Sequence, residues 1–506
     1  MLGLFLAALD QTIIATALPT IARDLGDIEK VPWVATSYLL ASTVSVPLYG
    51  KLGDLLGRKR LLQTAILIFV VGSIGCGISQ SMLQLTLARA FQGVGAGGLL
   101  TLSQAILGDL VSPRERGKYL AYLAGVWAVA SIAGPPIGGL ITQEISWRWV
   151  FYINVPIGAF ALIACALSLK LPTSRLEHQI DYLGAALIGA AVICGMGALV
   201  GLGGSSIPPA WIPALGLGAL VFGGAFVMQE RRTVEPILPL ELLRVPVVRT
   251  ACFLGFFVGV SMFISIVFLP LYLQLVVGAS AGRSGFLMTP MLLLLVATSM
   301  TVGRAISRTG RYRMFPIVGT ALLTGTYLML ALISGTTNEV VVVLTTLPIM
   351  IGIGCIMQVA VLAVQNAVGS DQLGIATSTE RFFRSIGSAV GVAVAGVILS
   401  IHLADLPDRA ADPAEAKMLE GFTSGAIEGD IGSSLRALPD HALGLLQEEV
   451  SGAVGTIFLV AVPLAAAAHV ASRRMKELPL RQISHAAARS EAGDRTEEGS
   501  SWTPEI

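Results

Sequence analysis

GKLGDLLGRKR, residues 50–60, separates two apolar runs, and GRAISRTGRYR, residues 303–313, does the same 253 positions later. Gly50, Gly57, Arg58 and Arg60 of the first stretch fall in register with Gly303, Gly310, Arg311 and Arg313 of the second. Gly93-Val94-Gly95 and Gly352-Ile353-Gly354 match more loosely, in the same order along the chain. Two matches in consistent order read as an internal duplication, and parallel repeats of six helices are one way to build a large membrane fold.

Around these loops the chain is too apolar for water. Of 506 residues, 54% are hydrophobic and 13% charged, with a mean hydropathy of +0.77; soluble domains carry about a quarter charged residues. A helix needs about 20 mostly apolar residues to cross a bilayer core. Fourteen such runs are present, at approximately 2–20, 33–50, 61–79, 83–107, 119–141, 149–169, 182–202, 210–228, 250–277, 284–302, 314–334, 340–366, 385–403 and 451–471. The chain therefore reads as an all-α membrane protein of fourteen transmembrane helices. Spans 1–6 and 9–14 form two pseudo-symmetric six-helix halves, and spans 7 and 8 are an insertion. The corresponding limits are 1–170 for the first half, 171–249 for the two linker helices with a cytoplasmic loop, and 250–471 for the second half. A long extracytoplasmic loop covers 404–450, and a polar tail over 472–506 has the composition of a disordered segment. Asp10 interrupts the first run and no basic segment precedes it, so it reads as a retained span rather than a signal peptide. A natural start upstream of Met1 stays open.

Lys and Arg gather on the cytoplasmic side of membrane proteins. With fourteen spans, 19 of the 33 fall in the connections after even-numbered spans and 6 in the tail, against 7 in the opposite connections; the last is Arg89. Both termini are thus expected in the cytoplasm and the protein in the cell membrane. The 404–450 loop carries ten acids and is net negative. A net charge of +1 gives no overall basic field for nucleic acid. The five cysteines lie singly in apolar runs, with no C-x-x-C spacing, so neither a disulfide nor a metal site is expected.

Residues 50–60 resemble the loop 2–3 signature of the major facilitator superfamily. GVWAVASIAGPPIGG (125–139), which holds Gly125, Gly134, Pro135, Gly138 and Gly139, resembles that family's fifth-span antiporter motif. LDQTIIATALP (9–19), LARAFQGVGAGG (87–98), WRWVFYINVPIG (147–158), FLPLYLQLVVGASAGRSG (268–285) and the segment 365–394 are similar to its fourteen-span drug:proton antiporter branch. The resemblance runs to about residue 471. It implies the major facilitator fold, no enzyme and no cofactor, and proton-coupled export of amphiphilic drugs or antibiotics by alternating access. Its partners would be the small amphiphile, protons and the lipid bilayer, with a monomer as the working unit. Export of one dedicated metabolite, self-made antibiotic or lipid is the alternative within transport. A membrane scaffold or sensor is the alternative outside it.

An ionised side chain deep in an apolar run is costly unless it faces a cavity or a partner. Asp10 is in that position and is the first candidate for carrying the coupled proton; a place near the membrane edge is the competing reading. Arg89 lies just ahead of Gly93, Gly95, Gly97 and Gly98, small residues that permit close helix contacts. The family resemblance links its counterpart to proton coupling, while snorkelling to the interface competes. The repeat sets Pro348 opposite Arg89, which concentrates coupling in the first half. Glu380 and Arg384 are i,i+4 and open span 13 together with Arg381. An acid stands at Glu380 where the family usually has a polar residue, marking a second proton or cation site or, alternatively, a structural ion pair.

In the 50–60 loop, Asp54 is suited to accept from backbone donors at a helix terminus, while Arg58 and Lys59 meet acids or lipid phosphates. Gly50, Asp54, Gly57, Arg58 and Lys59 are thus expected to latch one end of the transporter. Leu55 stands where the family usually has Arg, which weakens one ion pair of that latch, and Ser307 replaces the acid in the second copy. Gly134-Pro135-Pro136 predicts a kink. Tyr122, Trp127, Tyr272, Gln274, Gln358 and Gln365 are candidates to line a substrate cavity, although interfacial belts explain such residues too. Gly93-x-Gly95-x-x-Gly98 has the spacing of a dinucleotide fingerprint without a preceding strand. Gly278-Ala-Ser280-Ala-Gly282 has that of a nucleophile elbow, but none of the five histidines forms a motif with Ser280.

Overall fold

The computed structural model describes residues 1–25, 31–169, 181–202, 207–233, 236–279, 281–332, 338–369, 372–423 and 438–480, and regular structure among them is entirely helical. The first group of elements is α1 (Leu2–Ile13), a 3-10 turn over Ile14–Thr16, α2 (Leu18–Leu25), α3 (Val31–Leu56), α4 (Arg58–Ile78), α5 (Met82–Leu110), α6 (Pro113–Glu144), α7 (Trp149–Tyr152) and α8 (Asn154–Ser168). Then come α9 (Tyr182–Leu202) and α10 (Trp211–Glu230), which pack on each other. The second group is α11 (Pro246–Leu275), α12 (Ala281–Thr309), α13 (Met314–Leu332), α14 (Glu339–Ala367), α15 (Leu373–Ala404), α16 (Pro413–Thr423) and α17 (Asp440–Arg474).

Local chemistry sets the breaks. Gly57 adopts φ 89°, a left-handed conformation that glycine reaches without strain, and so divides α3 from α4. Ser81 accepts from the Gln84 amide at the start of α5, and Asn338 accepts from Val340 and Val341 at the start of α14. Pro113 and Pro246 occupy first-turn positions, where a missing N–H costs nothing.

Packing repeats between the groups. In the first, α3 lies on α5, α4 on α5, α1 on α6 and α4 on α8; in the second, α12 lies on α14, α13 on α14, α11 on α15 and α13 on α17. Counting α1, α3, α4, α5, α6 and α8 against α11, α12, α13, α14, α15 and α17, these are the same four pairings. The groups meet by exchange, α3 against α15 and α12 against α6.

Twelve helices among the described residues are long and apolar enough to cross a membrane. The expected first two spans are not among them. Apolar helix α1 is 12 residues long before the 3-10 turn interrupts it, and α3 is 26 residues long with Ser37, Ser42, Thr43 and Ser45 within its apolar stretch and Lys51 and Asp54 near its end. Helix α15 starts at Leu373, well ahead of the 385 expected, because its polar first turns are buried between α3, α5 and α11 rather than exposed as a loop. The region expected as a loop over 404–450 contains α16 and the first turns of α17. Helix α17 continues to Arg474, and beyond it the Glu477 carboxylate accepts from the Tyr312 and Arg313 amides while Asn366 donates to the Leu478 and Pro479 carbonyls. Residues 481–506 of the expected tail lie outside the described residues.

Candidate functional site

Asp10 is 0% exposed and Arg89 is 1% exposed, and they face each other across α1 and α5 with Arg89 Nη1 donating to Asp10 Oδ2 at 2.7 Å. Both side chains are enclosed by protein. Asp10 Oδ1 accepts from Gln92 Nε2 at 2.8 Å and from Asn154 Nδ2 at 2.7 Å. Ser73 receives hydrogen bonds from both of these amides, at 2.6 and 3.2 Å. Arg89 also donates to Gln92 Oε1 and to the Val34 carbonyl, and its guanidinium lies 4.1 Å from the centroid of the Tyr38 ring. Five helices, α1, α3, α4, α5 and α8, thus supply a closed polar cluster in which each charge has several partners, the condition under which an ion pair survives away from water. Close backbone approach makes it possible: a Cβ on Gly72 of α4 would meet Gln92 Cα at 2.6 Å.

Tyr38 also forms part of the wall of a central cavity of about 530 Å³, within the size range of drug-binding pockets. The wall draws on both groups and on α9, with Leu123, Trp127, Met262, Phe263 and Phe268 among its apolar residues and Gln11, Gln104 and Gln358 among its polar ones. Asp10 is not part of this wall; Tyr38 and neighbouring Gln11 stand there instead.

One end of the cavity is sealed by contacts between the groups. Asp54 Oδ1 accepts from the Gly374 amide at 3.1 Å and Oδ2 from the Ile375 amide at 2.9 Å, at the start of α15. Negative charge is favoured there, where the first amides of a helix are unpaired. Arg58 bridges Asp54 and Asp109. The α3 and α15 backbones touch: a Cβ on Gly374 would meet the Gly50 carbonyl oxygen at 2.7 Å. Lys59 donates to the Ala166 carbonyl at 2.9 Å, a bond inside the first group that leaves the seal to its neighbours. At the equivalent place in the second group the Ser307 hydroxyl has no hydrogen-bond partner among the described residues, and its carbonyl accepts from Arg114 of α6 instead.

The glycine motif of α6 is divided in its roles. Gly134 and Gly138 face α1, where a Cβ on Gly138 would meet the Ile13 carbonyl and, at 2.5 Å, the Thr16 hydroxyl; Gly125 faces Val296 of α12, and a Cβ on Gly139 would meet nothing within 4 Å. The helix is continuous through Gly134-Pro135-Pro136.

Of the expected cavity residues, Trp127 and Gln358 line the cavity. Gln365 is buried and donates to the Gln104 carbonyl and Thr377 instead, Gln274 donates to Ser284, Tyr272 packs in the core of the second group, and Tyr122 makes an edge contact with Tyr119. Glu380 is buried behind the wall and accepts from Arg384 Nη2 at 2.5 Å. Sequence reasoning does not reach Gln92, Asn154, Ser73, Tyr38 or Asp109. Gln92 alone carries a local signal, three residues beyond Arg89 on the same helix face.

The Major Facilitator Superfamily pattern matches residues 1–392. Over 488 residues the chain is 37% identical to an uncharacterized MFS-type transporter of Mycobacterium tuberculosis, a match covering 95% of this chain and 69% of that one. It is 34% identical over 482 residues to multidrug resistance protein 3 of Bacillus subtilis, covering 92% of each. The structure superposes on the proton:xylose symporter XylE with a TM-score of 0.61 at 12% identity, covering 97% of both chains.

Proposed function

The chain belongs to the major facilitator superfamily, and as such is a membrane transporter rather than an enzyme; from that premise we propose that it is a proton-coupled exporter of amphiphilic compounds working by alternating access. The observation that carries the reading is the buried Asp10–Arg89 pair, one tyrosine ring away from a drug-sized cavity. A carboxyl that exchanges a proton for its arginine partner changes the charge beside Tyr38, and so couples proton movement to the cavity wall. One proton crossing 100 mV supplies about 2.3 kcal/mol, enough for a roughly fiftyfold gradient of a neutral solute.

In this reading α1 with the turn after it, and α3, also cross the membrane, making fourteen spans. Support comes from the length of α3, about 39 Å at the helical rise, and from its place against α5 in the repeated pairing. The two groups are the six-helix halves, near 1–170 and 250–471, with α9 and α10 between them. The distribution of Lys and Arg supports a cytoplasmic place for both termini and for the Asp54 seal, and on that reading the seal closes the cytoplasmic path. Asp10, Arg89 and, secondarily, Glu380 are the coupling residues; Asp54 with Arg58 is the latch; Gly134 and Gly138 are the sliding seam.

The test is substrate-dependent proton flux in proteoliposomes holding a pH-sensitive dye. Asp10→Asn should abolish it while the purified protein keeps its monodisperse elution. Parent-like flux in that variant removes Asp10 from the mechanism, and no flux from the parent with any amphiphile removes proton coupling altogether.

A further inference from the structure

The central cavity has an imbalance of charge that a general pocket for amphiphiles does not need. Its ionisable wall residues are Tyr38, Arg381 and Arg384, and no Asp or Glu belongs to the described wall. Arg384 is matched in charge by Glu380, which lies behind it on the same helix face, yet Arg384 Nε and Nη1 are buried without a hydrogen-bond partner among the described residues. Arg381 makes neither a hydrogen bond nor a salt bridge among the described residues. The two arginines therefore face the cavity with one carboxylate between them. Asp10 offers no compensation, because Arg89 already neutralises it on the far side of the Tyr38 ring.

A half-buried guanidinium without a charge partner favours a ligand that brings the matching charge, since an apolar body entering the chamber strips water from it and an unpaired desolvated charge is costly. We propose that the cavity selects amphipathic organic anions, aromatic or aliphatic bodies bearing one carboxylate or sulfonate, with Arg381 as the direct partner of the anionic group and the Glu380-paired Arg384 beside it. The guanidinium fork presents two parallel donors that match the paired oxygens of such groups. Trp127, Phe263 and Phe268 supply the face on which the apolar body lies. Cations meet like charge on entry, and neutral analogues leave Arg381 unpaired. This deepens the transport reading above, on which it rests, by naming the substrate class.

A matched probe pair tests it: 1-anilino-8-naphthalenesulfonate and N-phenyl-1-naphthylamine, the same aromatic body with and without the sulfonate. Both are titrated onto the full chain in zwitterionic nanodiscs without any ion gradient, following energy transfer from tryptophan. The sulfonate should bind saturably and at least tenfold more tightly than the neutral probe. Arg381→Gln should erase that difference by weakening the sulfonate at least tenfold, Arg381→Lys should restore part of it, and saturable neutral-probe binding no weaker than the parent's certifies the fold. Tetraphenylphosphonium should not displace the sulfonate. The proposal is overturned by equal affinities in the parent, by a sulfonate affinity untouched in Arg381→Gln, or by displacement with the cation. Because binding is read without a proton gradient, its failure leaves the Asp10 flux experiment standing, and the reverse also holds.

Discussion

Asp54→Asn removes a charge from the seal between the two groups while keeping the side chain's shape. In the parent the carboxylate accepts from two amides of the opposite group, Gly374 at 3.1 Å and Ile375 at 2.9 Å. Hydrogen bonds to a charged acceptor contribute about 1.5–3 kcal/mol each, against about 0.5–1.5 for neutral ones. Losing the charge thus costs about 1 kcal/mol per bond, and only in the sealed state, because the opened state hydrates both partners. The total of about 2 kcal/mol corresponds to a roughly thirtyfold shift toward opening of this end. Nitroxide labels at Leu56 and Thr309, both exposed at the sealed end, report it as a longer-distance population in pulsed electron–electron measurements. Lys59→Gln breaks a bond made within the first group and should leave the distances alone. If the distributions of Asp54→Asn and the parent coincide, the two amide bonds do not hold this end shut and the latch has been misread.

Three further outcomes follow from named contacts. Asp10→Asn alone leaves the Arg89 charge buried beside Gln92 and Tyr38, which costs about 3–5 kcal/mol of stability; Asp10→Asn with Arg89→Gln should recover most of it, as read by thermal unfolding in detergent. A simple sum of the single losses in the double variant argues against a coupled pair. Gly138→Ala must push α6 off α1, because its Cβ would meet the Ile13 carbonyl, and overpacking of this kind costs about 1–3 kcal/mol; Gly139→Ala, one residue on, meets nothing and should unfold at the parent temperature. Hydrogen bonds from Trp147 and then Arg148 hold the Asp24 carboxyl below its ordinary range. An acid so depressed contributes stability that is present above its unfolded value, near pH 4, and lost as pH falls through the folded one. Protection against amide exchange over residues 145–152, relative to the intrinsic rate at each pH, should therefore fall in acid below that window in the parent, and Asp24→Asn should show the lower protection already at neutral pH.

Features that depend on a single helix are legible in the residue order alone. Apolar runs mark most helices because a bilayer leaves a chain little else to do with them, and the Asp54 loop announces itself by a glycine that ends one helix and an acid placed to cap another. Partners on other helices leave no such mark. Gln92 and Asn154 converge on Asp10 from two helices while Ser73 of a third accepts from both, and nothing in the neighbourhood of residue 154 points to residue 10. Polar residues inside apolar runs are a poor guide to the cavity for a related reason: a buried glutamine must find a partner somewhere, and Gln365 finds Gln104 and Thr377 across a helix contact rather than a ligand.

Arg381 shows how far a periodicity argument reaches when it is carried through. The spacing of Glu380 and Arg384 predicts a pair, and the pair exists. One residue is about 100° of rotation on an α-helix, so the residue after Glu380 cannot share its direction. With Glu380 turned into the contact with α11, where a Cβ on Gly255 would meet its carboxylate at 2.6 Å, Arg381 is turned toward the cavity. The missing element is the start of the helix. Charges that open a helix would sit in its first turn, free to meet water; the start at Leu373, two turns earlier, packs them among other helices, with Glu380 neutralised and Arg381 left for a ligand. The excess positive charge of the cavity thus follows from a boundary, and that boundary lies where it does because a polar stretch can be helical when other helices bury it.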